Sequence, residues 1–141
     1  MKNIILLPYT DYCAEEIIPL YEAVGWSNYY NNPDMLYHAF RNSLFVLGAY
    51  VDDVLVGIIR VVGDGYSIVY IQDLLVLPEY QRQGIGGKLI AAVIQKFSKV
   101  GQKILLTDKT KDMISFYHHV GFAAVDDIDC VAFQYRDFAI K

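Results

Sequence analysis

Residues 78–90, PEYQRQGIGGKLI, follow the apolar run IVYIQDLLVL at 68–77 without a gap. No other stretch constrains the fold as tightly: a strand ends at Pro78, glycines occupy positions 84, 86 and 87, and a helix begins with neither an acidic nor a hydroxyl cap. Ile85, Leu89, Val93 and Phe97 then recur at helical spacing until Gly101, which predicts an amphipathic helix over 84–100. The first N–H groups of such a helix have no internal acceptor and carry the positive end of its dipole, so they suit a pyrophosphate. Glycine at 84 and 86 removes the side chains that would hold phosphate oxygens off the backbone, and Arg82 and Lys88 add charge at the rim. Two familiar nucleotide loops do not fit. A dinucleotide G-x-G-x-x-G needs glycine where Leu89 stands, and a Walker loop needs glycine at Arg82 and a hydroxyl residue at Leu89. What remains is Q-x-x-G-x-G, Gln81 to Gly86, between a strand and a helix; the same glycines also suit a plain tight turn with close helix packing.

The flanking sequence predicts the elements around this unit. NIILLP at 3–8 reads as a strand, and Cys13, Ile17, Leu20 and Val24 form the stripe of a helix that Asp11 is expected to cap and Gly25 to stop. WSNYYNNP at 26–33 is aromatic and turn-rich, and Pro33 opens a second helix, DMLYHAFRNS. LFVLGAYV and VLVGIIRVV flank Asp52-Asp53 as a hairpin, and a second turn at Asp64-Gly65 leads into YSIVYIQDLLVL. KILLT at 103–107 is a strand, DMISFYHHV a short helix stopped by Gly121, and FAAVDD and VAFQYRDF a closing pair of strands. The order β α α β β β α β α β β predicts an α+β fold on a mixed sheet. There is no repeat, low-complexity tract or linker, so residues 1–141 are read as one domain.

With 55% hydrophobic, 20% charged and 14% aromatic residues, the chain is expected to fold into a compact core. A net charge of −4 argues against a nucleic-acid or anionic-membrane partner, because both need a basic footprint. Cys13 and Cys130 lack C-x-x-C spacing, which points to reduced thiols, not a disulfide framework or a metal site. The run MKNIILLPYTDYC is broken at Pro8, so neither a signal peptide nor a membrane span fits, and a cytoplasmic location is expected.

YIQDLLVLPEYQRQGIGGKL at 70–89 resembles the acetyl-CoA binding segment of the GNAT superfamily of N-acetyltransferases, and FYHHVGF at 116–122 resembles that family's F-Y-x-x-x-G-F element. The resemblance implies a three-layer α/β/α-like arrangement whose mostly antiparallel sheet splays between strands 4 and 5. It implies that Leu74, Leu75 and Val76 offer free main-chain groups to the pantetheine arm, with a strand N–H at Val76 or Leu75 polarising the thioester oxygen. Arg82, Gln83, Gly84, Ile85, Gly86 and Gly87 would hold the pyrophosphate, and Tyr117 would be the general acid for the departing thiolate. Among Tyr70, Gln72 and Asp73 on the relevant strand, Asp73 is the candidate direct base. Where the family often has asparagine and alanine before F-Y, this chain has Thr110 and Met113.

The implied function is acetyl transfer from acetyl-CoA to a primary amine by direct attack in a ternary complex. Neither a metal nor a covalent acyl-enzyme is expected. Trp26, Tyr29 and Tyr30, with Tyr37, Arg60 and Asp64 nearby, are expected either to pack the core or to line the acceptor pocket, since aromatic walls with few polar groups also attract cationic amines. A small-molecule or peptide amine is the expected acceptor and a symmetric dimer the default assembly. The alternative is a non-catalytic CoA-sensing or partner-binding domain of the same fold.

Overall fold

The computed structural model describes residues 3–136. The chain divides into two compact units, Met1–Leu106 and Thr107–Lys141.

The first unit is built on a five-stranded sheet in the order β1-β2-β3-β4-β5, from strands Ile5–Pro8, Phe45–Val51, Val54–Gly63, Ile68–Val76 and Gln102–Leu105. The first four pair antiparallel and β5 joins β4 in parallel. Turn chemistry sets the registers. Asp52 and Asp53 have φ of 51° and 66°, the two left-handed residues that a twist-matched hairpin requires. In the β3–β4 turn, Asp64 Oδ1 accepts from the N–H groups of Tyr66, Ser67 and Ile68 at 2.8, 2.8 and 3.1 Å. A bond from the Ser67 hydroxyl first, and then those backbone bonds, hold the Asp64 carboxyl well below the usual carboxylate range. Asp64 therefore serves the turn.

Helices α1 (Ala14–Ala23), α2 (Ser27–Tyr30) and α3 (Pro33–Arg41) precede β2, and α4 (Ile85–Lys96) links β4 to β5. Asn32 caps α3, accepting from Met35 N–H with Pro33 in the first turn. The expected cap at Asp11 is not formed: Cys13 stands at the N-cap of α1 and its side chain makes no cap bond to the first-turn N–H groups. Ile17, Leu20 and Tyr21 of α1 and Leu36 and Phe40 of α3 pack on Val46, Leu55, Ile58 and Leu75. Phe45, one residue from Val46 and so on the opposite face, meets Phe97 at the end of α4 with ring centroids 6.0 Å apart. Helices thus cover both faces of the sheet, and Ile85, Leu89, Ile90 and Val93 of α4 are buried.

The second unit contains α5 (Lys111–His119), capped by the Thr110 hydroxyl, and a 3-10 turn at Val125–Ile128. The two closing strands expected from the sequence are not formed among the described residues. FAAVDD gives the 3-10 turn, followed by Asp129 at φ 62°, and residues 131–136 lie in neither helix nor strand, with Phe133 and Tyr135 92% and 89% exposed. Alternating apolar residues make a strand only where a ladder partner exists, and none is present for them here. Asp137 and Phe138, also in the expected strand, lie outside the described residues. No helix of the described residues is long and apolar enough to cross a membrane.

Candidate active site

The β4–β5 ladder ends at Ile71 and Leu105, whereas β4 runs on to Val76 paired only with β3. The strand alternation says which main-chain groups this exposes. Leu77 N–H donates to Val56 C=O at 2.8 Å, so Leu75, two residues back, also turns to β3 and meets Ile58. Leu74 and Val76 then turn their N–H and C=O groups away from β3, toward the side that β5 has left. The Val76 C=O is already occupied, accepting from the Gln81 side-chain amide at 3.0 Å. Of the two N–H groups the sequence offered for polarising an acyl oxygen, the one at Val76 is therefore free in direction and the one at Leu75 is committed to the sheet.

The strand leads through a 3-10 turn, Pro78–Tyr80, into the glycine loop. Arg82 and Gly84 lie in the left-handed region at φ 62° and 84°, and Gly84 is the N-cap of α4 with no side-chain cap bond and no acidic residue in the first turn. The first intrahelical bond runs from Lys88 N–H to Gly84 C=O, leaving the N–H groups of Ile85, Gly86 and Gly87 without a helical acceptor. A Cβ at Gly84 or Gly87 would meet nothing within 4 Å, so the loop is an open cradle at a positive helix end. That is the form a diphosphate needs. The Gln83 side chain is turned back on the loop, its amide donating to Glu79 C=O at 3.3 Å.

Asp73 lies inside, 1% exposed. Its Oδ2 accepts from Arg60 Nε at 2.7 Å and from the Tyr21 hydroxyl at 2.8 Å, and its Oδ1 is buried without a hydrogen-bond partner among the described residues. Arg60 also reaches the Ser43 hydroxyl at 3.2 Å and sits 5.5 Å over the Phe40 ring. Burial works against the Arg60 charge, and Asp73 and Tyr21 together more than offset it, so the guanidinium pKa is raised. Burial, then the Asp73 charge, likewise push the Tyr21 hydroxyl up. A solvent-excluded carboxylate already bonded to a cation and a phenol is badly placed to take a proton directly from an incoming amine. The sequence reading of Asp73 as a direct base does not fit this geometry.

The aromatic candidates separate. Tyr29 stacks on Tyr21, centroids 5.0 Å apart at 27°, and accepts from the Gln72 side-chain amide at 3.0 Å, while Trp26 contacts both tyrosines at 5.8 and 6.0 Å. Tyr30 packs half-buried against the same core. Tyr37 lies elsewhere, lining a cavity of about 250 Å³ with Tyr9, Tyr12, Phe40 and Arg41. Tyr21 was missing from the sequence candidates, although it stands four residues after Ile17 on the core stripe. A buried phenol on an apolar face must find a polar partner, and in the structure that partner is Asp73.

In the second unit, Tyr117 lies between Phe116 and Phe122, at 4.9 and 5.9 Å between ring centroids, and burial pushes its hydroxyl up to about 12. Cys13 is half-buried, its thiol donating to Glu15, and Cys130 is exposed.

Comparison with known proteins bears on this arrangement. A family model described as an acetyltransferase (GNAT) domain matches residues 9–132. A solved GNAT-family acetyltransferase of Streptococcus pneumoniae TIGR4 is 37% identical, with 96% of this chain and 98% of that one covered at a TM-score of 0.87. An uncharacterized N-acetyltransferase, ycf52-like, of Prochlorococcus marinus is 28% identical over 86% of this chain and 69% of its own length. The aminoglycoside N-acetyltransferase AAC(6')-Iy, solved in complex with CoA, shares the fold at 16% identity and a TM-score of 0.73, over 97% of this chain and 96% of its own. With a family match over residues 9–132 laid over a sheet that opens beside an uncapped, glycine-lined helix, this chain belongs to the GNAT acetyltransferase family and is an N-acetyltransferase.

Proposed function

We propose that residues 1–141 act as a single catalytic domain that moves the acetyl group of acetyl-CoA to a primary amine by direct attack in a ternary complex. The observation that carries this reading is the free edge of β4 running into the open N-terminus of α4. Leu74 and Val76 present main-chain groups to the pantetheine arm like a missing strand, with Leu75 beneath them in the core. The N–H groups from Arg82 to Gly87 hold the diphosphate, with Arg82 and Lys88 at its rim.

Acetyl-CoA supplies an activated acyl carbon and a thiolate leaving group. The chain supplies position first, which in favourable systems contributes up to about 7–11 kcal/mol. Val76 N–H meets the charge that develops on the acyl oxygen as the amine nitrogen bonds to carbon. Tyr117 returns a proton to sulfur as the C–S bond breaks, the nitrogen gives up one proton to solvent as the amide forms, and Tyr117 is reprotonated from solvent. Asp73 acts through Tyr21 and Arg60 as a positioning residue, not as the base. Trp26, Tyr29 and Tyr30 form the acceptor wall, and a net charge of −4 favours a cationic acceptor by steering. The acceptor class is a small-molecule amine, in keeping with the aminoglycoside acetyltransferase among its structural relatives.

The experiment that tests the cofactor site is Gly87→Ala. Alanine in the first turn meets open space and improves helix propensity by about 0.5–1 kcal/mol, so Tm is expected to rise by about 2–5 °C. The added methyl stands in the cradle, and CoA affinity measured by calorimetry is expected to fall by about tenfold or more. Unchanged affinity in this more stable variant would mean that the glycines serve only the turn.

A further inference from the structure

Gln72 and Asp73 are consecutive residues of β4, and in a regular strand their side chains would point to opposite faces. Here both hold tyrosines of one aromatic layer: Gln72 donates to the Tyr29 hydroxyl at 3.0 Å and Asp73 accepts from Tyr21 at 2.8 Å, while the two rings stack on each other. The cause is a β-bulge. Arg60 pairs with Asp73 and Val61 with Ile71, so Gln72 is the extra residue on β4, one step beyond the last pair that β4 makes with β5. The backbone of β4, Gln72, Tyr29, Tyr21 and Asp73 thus form a closed loop at the place where the cleft begins.

This loop reaches a weakly anchored element. Helix α2 is a single turn, Ser27–Tyr30, with no side-chain cap and no buried residue, packed against α1 and α3. Its Tyr29 hydroxyl is tied to the sheet through Gln72.

We infer that Gln72 is a positioning residue: together with the Tyr21–Asp73 bond it clamps α2 to the bulge of β4 and so fixes the acceptor wall of Trp26, Tyr29 and Tyr30 beside the cofactor cleft. This inference rests on the acceptor wall proposed above. Gln72 and Tyr29 are donor and acceptor of one hydrogen bond, so removing either partner frees the same element, and the two effects coincide instead of adding.

Trp26 is the chain's one tryptophan and touches both tyrosines, so it reports on the clamp without cofactor or acceptor. The test compares Tyr29→Phe, which keeps the ring, Gln72→Met, which cannot donate, and the double variant. Acrylamide quenching of Trp26 in the full chain is expected to rise about two- to threefold in each single variant and no further in the double. For the amine giving the fastest CoA release, acceptor KM is expected to rise about three- to tenfold in all three, with acetyl-CoA KM within about twofold of the parent. Unchanged quenching, additive effects, or an equal shift in acetyl-CoA KM would each overturn the clamp. Failure of the acceptor-wall reading looks different: quenching rises as expected but acceptor KM stays put, or the parent shows no amine-dependent CoA release.

Discussion

Tyr117→Phe is expected to lower kcat by about 10²-fold or more while acetyl-CoA affinity stays within about twofold of the parent. The ring is held by Phe116 and Phe122, and phenylalanine keeps those edge contacts, so the substitution removes a proton donor and little packing. The pH profile makes the test sharper. With its hydroxyl pushed up to about 12, Tyr117 keeps its proton across the working range, so it contributes no alkaline fall in kcat below about pH 11. A proton donor this weak assists only as the C–S bond breaks and charge builds on sulfur, which places the whole loss in the chemical step. Rapid-mixing measurement of CoA release, beside calorimetry of acetyl-CoA, separates the outcomes. Equal kcat in both proteins would remove Tyr117 from the mechanism. A CoA sensor would show no amine-dependent release from either one.

How far each feature was legible depended on how much chain its cause spans. The glycine loop, the uncapped α4 and the Asp52–Asp53 hairpin are written within a few residues of themselves, and all stand where the sequence put them. The opening between β4 and β5 was legible only through family resemblance, because the end of a ladder at Ile71 and Leu105 leaves no periodic trace. The polar network was less legible still. Tyr21 and Asp73 are 52 residues apart, Tyr29 and Gln72 are 43 apart, and an extra residue in β4 decides which side chains share a layer. Asp73 looked like a base because a carboxylate on that strand is suggestive by type; burial against Arg60 is a tertiary fact. The closing strands failed for the opposite reason, since apolar alternation at 131–136 is real but a ladder needs a second strand.

The role of Asp73 can be separated from its stability effect by exploiting the asymmetry of buried ion pairs. Asp73→Ala strands a guanidinium that is only 5% exposed, and the loss is expected to be about 3–5 kcal/mol, readable as a lower midpoint in urea. It also leaves the Tyr21 hydroxyl without its acceptor, adding about 1–3 kcal/mol. Replacing all three groups together, Tyr21→Phe, Arg60→Met and Asp73→Leu, removes the charges and the orphaned phenol at once, and stability is expected to return to within about 2 kcal/mol of the parent. That folded triple variant decides the chemistry. A direct base would leave it inactive, with kcat down about 10²-fold or more and no recovery at high pH. A positioning residue leaves kcat within about tenfold and shifts acceptor KM instead, because the wall beside Tyr29 loosens while Tyr117 and the β4 edge stay intact. Buried charge at a strand bulge then serves the geometry of the cleft, and the amine must give up its proton to a group with access to solvent.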